Sequence, residues 1–356
     1  MIEKYSLFIL NVVLQKYQKV DRLLLDKLNF EKLLVKASDN RILKVFADNL
    51  LLSNIQLTKY ERGILSNISS DGSKLLKALG DTLKLLDEVF STNNVDYLIV
   101  KTYKYFDYVT FDVDVLVRYE DFDLAKKALS ENDVEITPHP GKNTQGLHQR
   151  NCFKQGLLKI DLHRKFFWLG IDHIDDDFLW RNTRKEIIGG VSCPIPSIEV
   201  DFLLHNKQLI FERRYITLLD FLAIKLFVED KDNAFAWEVI EAMVCKYKWQ
   251  TGFNKLMAHL NQINKVISGN EILFMTKTEV ILNNNIEFPY IYPFIDDLTV
   301  FIEIFARHRK VPFINLAHYV YSWSRYRVNS RLPFYDHWYK FNIAFSNKYS
   351  FQNVIN

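Results

Sequence analysis

The stretch Phe111-Asp112-Val113-Asp114-Val115-Leu116-Val117 decides how this chain is read. In an extended strand, residues two apart share a face, so Asp112 and Asp114 project one way while Phe111, Val113 and Val115 project the other. Two carboxylates about 7 Å apart on one strand repel each other and resist desolvation unless a positive charge sits between them. A divalent cation meets that need, and magnesium takes hard oxygen ligands while keeping positions for water and phosphate. The acid-bearing face becomes apolar at Leu116, whereas a purely solvated edge would stay polar. A third carboxylate joins the set. In Leu157-Leu158-Lys159-Ile160-Asp161-Leu162-His163, Asp161 stands between two aliphatic neighbours. The interval from Asp114 to Asp161 has room for one helix and two intervening strands, enough to bring Asp161 back beside the pair.

Outward from this centre the periodicity changes twice. Residues 1–92 carry apolar side chains three and four apart, as in Leu23-Leu24-Leu25-Leu28 and Ile42-Leu43-Val45-Phe46-Leu50, which predicts helices throughout. Ser6 to Leu14 reads as a buried amphipathic helix, and Ser70-Asp71-Gly72-Ser73 reads as the N-cap of a helix running to Phe90. From Val95 the pattern turns β-rich. Strands are expected over Val95–Val100 and Phe111–Val117, a helix over Tyr119–Ser130, and a hairpin of Asn143–Phe153 with Leu157–His163 about Lys154-Gln155-Gly156. A last strand covers Glu186–Cys193, with Gly189-Gly190 as a bend or bulge. Beyond Pro194 and Pro196 the helical period returns, including Leu218–Phe227, Trp237–Met243, Phe253–Ile263 and Leu298–Arg307. The fold class is therefore α/β (α+β): a small mixed sheet with the acids at one edge, flanked by helices. Three regions are expected: an N-terminal helical region at 1–92, a catalytic core at 93–196 and a C-terminal helical domain at 197–356. The active site falls between the sheet and the C-terminal helices.

Composition narrows the classes further. With 48% hydrophobic and 25% charged residues, 11 Gly and 8 Pro in 356 residues, the chain is neither disordered nor collagen-like. A net charge of +3 is too small for bulk electrostatics to name a partner. Cys152, Cys193 and Cys245 form no CxxC, so neither a disulfide framework nor a structural zinc site is expected. The apolar run near the N-terminus is too short to span a bilayer. A cytoplasmic protein without a membrane partner is the expectation.

A short β-strand, a DxD strand about ten residues later, and a lone acid between aliphatics on a further strand resemble the minimal nucleotidyltransferase fold of the DNA polymerase β-like superfamily. More closely, Tyr97-Leu98-Ile99-Val100-Lys101, Asp112-Val113-Asp114-Val115-Leu116-Val117 and Lys159-Ile160-Asp161-Leu162-His163 resemble the uncharacterised nucleotidyltransferase family. The resemblance extends over about residues 93–230, through Glu199–Leu204 and the Asp220-centred helix. It implies a magnesium-dependent, ATP- or other nucleotide-binding transferase that moves a nucleoside monophosphate from a triphosphate onto a hydroxyl. Asp112, Asp114 and Asp161 would be catalytic and hold two magnesium ions (manganese as the substitute), with Asp161 as general base. The superfamily's signature glycine followed by Gly or Ser is absent; Val100-Lys101-Thr102-Tyr103 stands in its place. Lys101 would neutralise phosphate, Thr102 donate a hydroxyl, and His163 contact the nucleotide or hold Asp161.

Elsewhere, His148 is a weaker candidate, and Asp175-Asp176-Asp177 reads as a solvated helix start. Between Phe301 and Lys348, eight basic residues face two acids, interleaved with Tyr321, Trp323, Tyr326 and other aromatics. That mixture suits phosphate contacts and base stacking, so Arg325 and Arg327 are the expected contacts for an RNA or tRNA acceptor. A toxin that modifies RNA, a small-molecule modifier and a protein modifier would share these residues. Two other functions fit the same acids: a catalytically inactive nucleotidyltransferase-fold RNA-binding or adaptor protein, and a metal-dependent phosphohydrolase.

Overall fold

Leucine and isoleucine at helical spacing place the N-terminal segment in five helices in the computed structural model, which describes residues 2–15, 20–102, 106, 108–138, 148–168, 171–172, 174–213, 215–229, 235–269 and 286–291. These are α1 (Lys4–Val13), α2 (Arg22–Asp26), α3 (Phe30–Asp39), α4 (Leu43–Leu52) and α5 (Lys59–Thr92). Helix α1 is the buried helix expected from Ser6–Leu14, with Phe8, Ile9, Leu10 and Val12 inside. The expected cap at Ser70–Ser73 is corrected. Helix α5 runs unbroken for 34 residues and opens instead at a capping box, in which Thr58 Oγ1 accepts from the Glu61 amide and the Glu61 carboxylate accepts from the Thr58 amide. The polar residues at 70–73 satisfy themselves along the helix: Ser73 Oγ donates to Ser69 O and Asp71 pairs with Lys74. Gly72 accommodates the Lys44 stem, which a Cβ would meet at 2.6 Å.

The central segment forms β1 (Tyr97–Val100), β2 (Asp112–Val117), α6 (Phe122–Ser130), β3 (Glu135–Pro138), β4 (Gln149–Phe153) and β5 (Lys159–His163). Their order in the sheet is β1-β2-β5-β4-β3. Strands β2 and β5 run parallel and the other neighbours antiparallel, so the sheet is mixed, as the sequence predicts. One helix and two strands, β3 and β4, do separate β2 from β5. The acids nevertheless lie on the second and third strands of the order, not at an edge, because β1 folds back over the outer side of β2. After β6 (Phe167–Trp168), β7 (Ile171–Asp172) and α7 (Asp176–Arg181), β8 (Thr183–Ile188) and β9 (Val191–Pro196) form a hairpin. Here too the expectation is corrected: Gly189 and Gly190, at φ 56° and 82°, make the two-residue turn between two strands rather than a bend within one.

Helical structure resumes in α8 (Ile198–Lys207), a π-helical turn over Gln208–Arg213, β10 (Tyr215–Ile216), α9 (Leu218–Glu229), α10 (Trp237–Lys246) and α11 (Gln250–Ser268), with β11 (Tyr290–Ile291) paired to β10. No helix among the described residues is long and apolar enough to cross a membrane. The segment from Leu298 to Arg307 and the basic–aromatic stretch with Arg325 and Arg327 lie outside the described residues, as do the first residues of the strand expected from Asn143.

Two apolar clusters cover the two faces of the sheet. Tyr97, Ile99, Val113, Val115 and Val117 pack with Leu75–Phe90 of α5, with α6 and with β9. Leu98, Val100 and Leu116, from the opposite face, join a cluster built from α1–α4 together with α8, α9 and α11. Each fully buried valine of β2 contributes about 1.5–3 kcal/mol by leaving water. This alternation fixes the register of β2, since a slip by one residue would turn Asp112 and Asp114 into the α5–α6 core.

Candidate active site

The parallel register of β2 and β5 sets three cross-strand pairs on one face: Asp112 opposite Lys159, Asp114 opposite Asp161, and Leu116 opposite His163. Adjacent strands lie about 4.8 Å apart, so the three acids expected to meet are brought together by backbone pairing alone. Their side chains differ in access. Asp112 is 44% exposed, Asp114 22% and Asp161 10%. Thr110 steadies the start of β2, its hydroxyl donating to Asp112 O at 2.8 Å and standing 3.3 Å from Asp112 Oδ1.

Three cationic or polar groups thread between the acids. Lys159 Nζ lies 2.8 Å from Asp161 Oδ2 and 3.5 Å from Asp112 Oδ2. Lys101 Nζ lies 3.6 Å from Asp114 Oδ1 and 4.7 Å from the centre of the Phe166 ring. His163 Nε2 lies 2.9 Å from Asp114 Oδ1, and its ring stacks near Phe166. The electrostatics follow. Burial by itself would raise the Asp114 pKa, but Lys101, His163 and Lys159 outweigh it and hold that carboxylate well below its usual range. For Asp161 the balance is reversed: burial dominates, Asp114 and Asp112 add to it, and the pKa is raised in spite of Lys159. Lys159 has a raised pKa because Asp161 and Asp112 outweigh its desolvation.

The expected contributors take distinct places. His163 holds Asp114 rather than Asp161, since it lies one register step beyond the Asp114–Asp161 pair. Lys101 follows β1 with φ 59°, a left-handed backbone of the kind glycine favours, at the place of the absent signature glycine. Thr102 is buried and its hydroxyl donates to Val100 O at 3.2 Å, inside its own turn. His148 Nδ1 accepts from Arg164 Nε at 3.2 Å. Asp175 is the cap of α7, accepting from the amides of Asp177 and Phe178, in keeping with a solvated helix start. Lys159 was the residue the sequence reading passed over. The signal for it is the strand period, which places it two before Asp161 on the same face.

Among the described residues, no group of three or more His, Cys, Asp or Glu side chains converges closely enough to hold a metal ion as arranged. The donor chemistry nevertheless fits a hard divalent cation. Asp161 Oδ1 is buried without a hydrogen-bond partner, and so is Oδ1 of Asn151, its cross-strand neighbour on β4. A cation held by Asp112, Asp114 and Asp161 would take the place of the Lys159 ammonium.

A mixed sheet that sets a DxD strand beside a third aspartate, with basic groups at the end of the first strand, defines a nucleotidyltransferase-like centre. In agreement, residues 109–264 match the model of a family described as uncharacterised nucleotidyltransferase. The match covers β2 to α11, including all three acids, and supports a nucleotidyltransferase role; Lys101 and the N-terminal helices lie before it. No curated protein matches the chain.

Proposed function

We propose that this chain is a magnesium-dependent nucleotidyltransferase that moves a nucleoside monophosphate from a nucleoside triphosphate onto a hydroxyl acceptor. The observation that carries the reading is the β2–β5 register, which sets Asp112, Asp114 and Asp161 on one face of adjacent strands. Asp112 and Asp114 would hold the magnesium ions together with Asp161. Bound there, magnesium would neutralise charge on the phosphates and on the leaving oxygen. Asp161, with its raised pKa, accepts the acceptor's hydroxyl proton as the new O–P bond forms at the α-phosphorus and the bond to the pyrophosphate oxygen breaks. His163 holds Asp114 in place, and Lys101 and Thr102 stand on the nucleotide side, at the end of β1. RNA or tRNA is the acceptor we favour, through Arg325 and Arg327, with action in the cytoplasm.

One observation favours a second reading, an inactive nucleotidyltransferase-fold adaptor or RNA-binding protein: Lys159 and Lys101 already neutralise the acids without a metal. Incubation with α-labelled triphosphates, magnesium and total RNA distinguishes the two. Label should enter a hydroxyl-bearing product with the wild type and not with Asp112→Asn. Release of the label as free nucleotide would indicate a phosphohydrolase, and binding of RNA without label transfer would favour the adaptor.

A further inference from the structure

Lys159 opens β5 directly opposite Asp112 of β2, and Asp161 follows two residues later on the same face. The ammonium therefore reaches both carboxylates, at 2.8 Å from Asp161 Oδ2 and 3.5 Å from Asp112 Oδ2. Among the described residues these two acids are its only hydrogen-bond and ion-pair partners. Asp114 is served differently. Lys101 Nζ and His163 Nε2 stand 3.6 Å and 2.9 Å from its Oδ1, and both pack on the buried Phe166. Lys159 has no ring against it among the described residues, its side chain is partly open to water, and its four-carbon stem is flexible. It is the cation of the set that can leave.

A divalent cation held by Asp112, Asp114 and Asp161 needs the carboxylate oxygens that Lys159 engages, and two cations cannot share them without repulsion. Expelling the ammonium into water forfeits both of its carboxylates, so a metal that arrives alone binds at a disadvantage. A polyphosphate removes that disadvantage, because it offers the displaced ammonium new anionic oxygens. Oxygens bound to one magnesium ion at about 2.1 Å lie about 3 Å from one another, so phosphates on the same ion come within reach of a lysine that starts on the carboxylates. The acids then pass from lysine to metal, and the lysine passes from acids to phosphate.

We propose that Lys159 is a phosphate-binding residue that also guards the metal site: it holds Asp112 and Asp161 in the absence of nucleotide and moves onto the polyphosphate as the metal enters, so that metal and triphosphate bind as one. This rests on the nucleotidyltransferase reading. The test is calorimetric titration of the full chain, wild type and Lys159→Met, with magnesium alone, with the preformed magnesium complex of inorganic tripolyphosphate, and with the magnesium complexes of the four ribonucleoside triphosphates. The substitution should move the affinities in opposite directions. Magnesium alone should bind about 10-fold more tightly, since nothing competes for the carboxylates, and the tripolyphosphate and preferred nucleotide complexes about 10-fold more weakly, the loss of one charge-assisted contact. Tightening of all of them makes Lys159 a competitor only and overturns the proposal; weakening of all, or no change, overturns it as well. In each of those cases wild-type binding of a nucleotide complex leaves the nucleotidyltransferase reading standing, whereas a wild-type protein that binds none of the triphosphate complexes overturns both. A measurement without substitution covers the case of a variant that does not fold. Acetylation of Lys159 by acetic anhydride in the wild type, read by peptide mass spectrometry, should quicken in saturating magnesium and slow again when tripolyphosphate is added at constant free magnesium. A rate indifferent to tripolyphosphate overturns the proposal.

Discussion

Lys159→Met removes the ammonium between Asp161 and Asp112 while keeping most of the aliphatic stem. The Asp112 contact counts for little, since that carboxylate is 44% exposed and such pairs contribute under about 1 kcal/mol. The Asp161 contact counts for more: the carboxylate is 10% exposed, its other oxygen has no partner, and the lysine lies 2.8 Å away. Taking one partner from a buried pair costs about 3–5 kcal/mol. With Lys159 itself 32% exposed, solvent screening brings the cost below that range, to about 2–3 kcal/mol at pH 8 without metal. At about 2–4 °C per kcal/mol the Tm should fall by roughly 4–12 °C. The sign with pH follows from the raised pKa of Asp161. A carboxyl group whose pKa is raised by folding supports the folded state below its unfolded value, about 3.9, and that support is lost as pH rises through the folded value. Removing the lysine raises the folded value further, so the deficit of the variant should be full at pH 8 and shrink towards pH 4. Magnesium should raise the Tm of Lys159→Met more than that of the wild type, since a cation then meets two unneutralised carboxylates. The measurement is thermal unfolding by circular dichroism at pH 4, 6 and 8, with and without magnesium. Equal Tm values at pH 8, or a deficit that does not shrink with acid, would refute the reasoning.

The Asp220 pKa is depressed: burial opposes ionisation, but Arg213, His205 and Arg41 outweigh it, so its stabilisation is present above about pH 4 and lost as pH falls below the ordinary carboxylate range. Asp220→Asn should therefore cost about 3 kcal/mol in urea unfolding at pH 7 and much less near pH 2; a constant difference would contradict the assignment. In Gly80→Ala the new Cβ would meet Gly189 O at 2.6 Å, forcing α5 away from the β8–β9 turn. Overpacking of this kind costs about 1–3 kcal/mol, and an unchanged unfolding midpoint would show that the contact yields freely. Burial pushes the thiols of Cys152 and Cys193 up to about 12 and about 11, whereas Cys245 is exposed. Ellman's reagent at pH 8 should titrate one thiol in the native protein and three after denaturation.

Alternation by itself determined β2 and β5, the face their aspartates share, the hairpin at Gly156 and the helices on either side of the sheet, because each is a pattern written within a few consecutive residues. Other features depend on how distant segments meet. The polar run at 70–73 looked like a helix start because Ser and Asp favour caps; it continued as helix because α5 had Lys44 to pack against and i−4 carbonyls to bond. The hairpin at Gly189-Gly190 needed two positive φ values, which a glycine pair permits but does not announce. The pairing of Lys159 with Asp112 and the turn of His163 towards Asp114 rather than Asp161 arise from strand register, and the seating of the α3–α4 turn on α9 arises from the Asn40 clamp, whose Oδ1 accepts from the Leu218 amide. Such contacts join residues from about 50 to 180 positions apart. Only tertiary packing decides them, since the burial that rewards each one comes from segments that local periodicity cannot see.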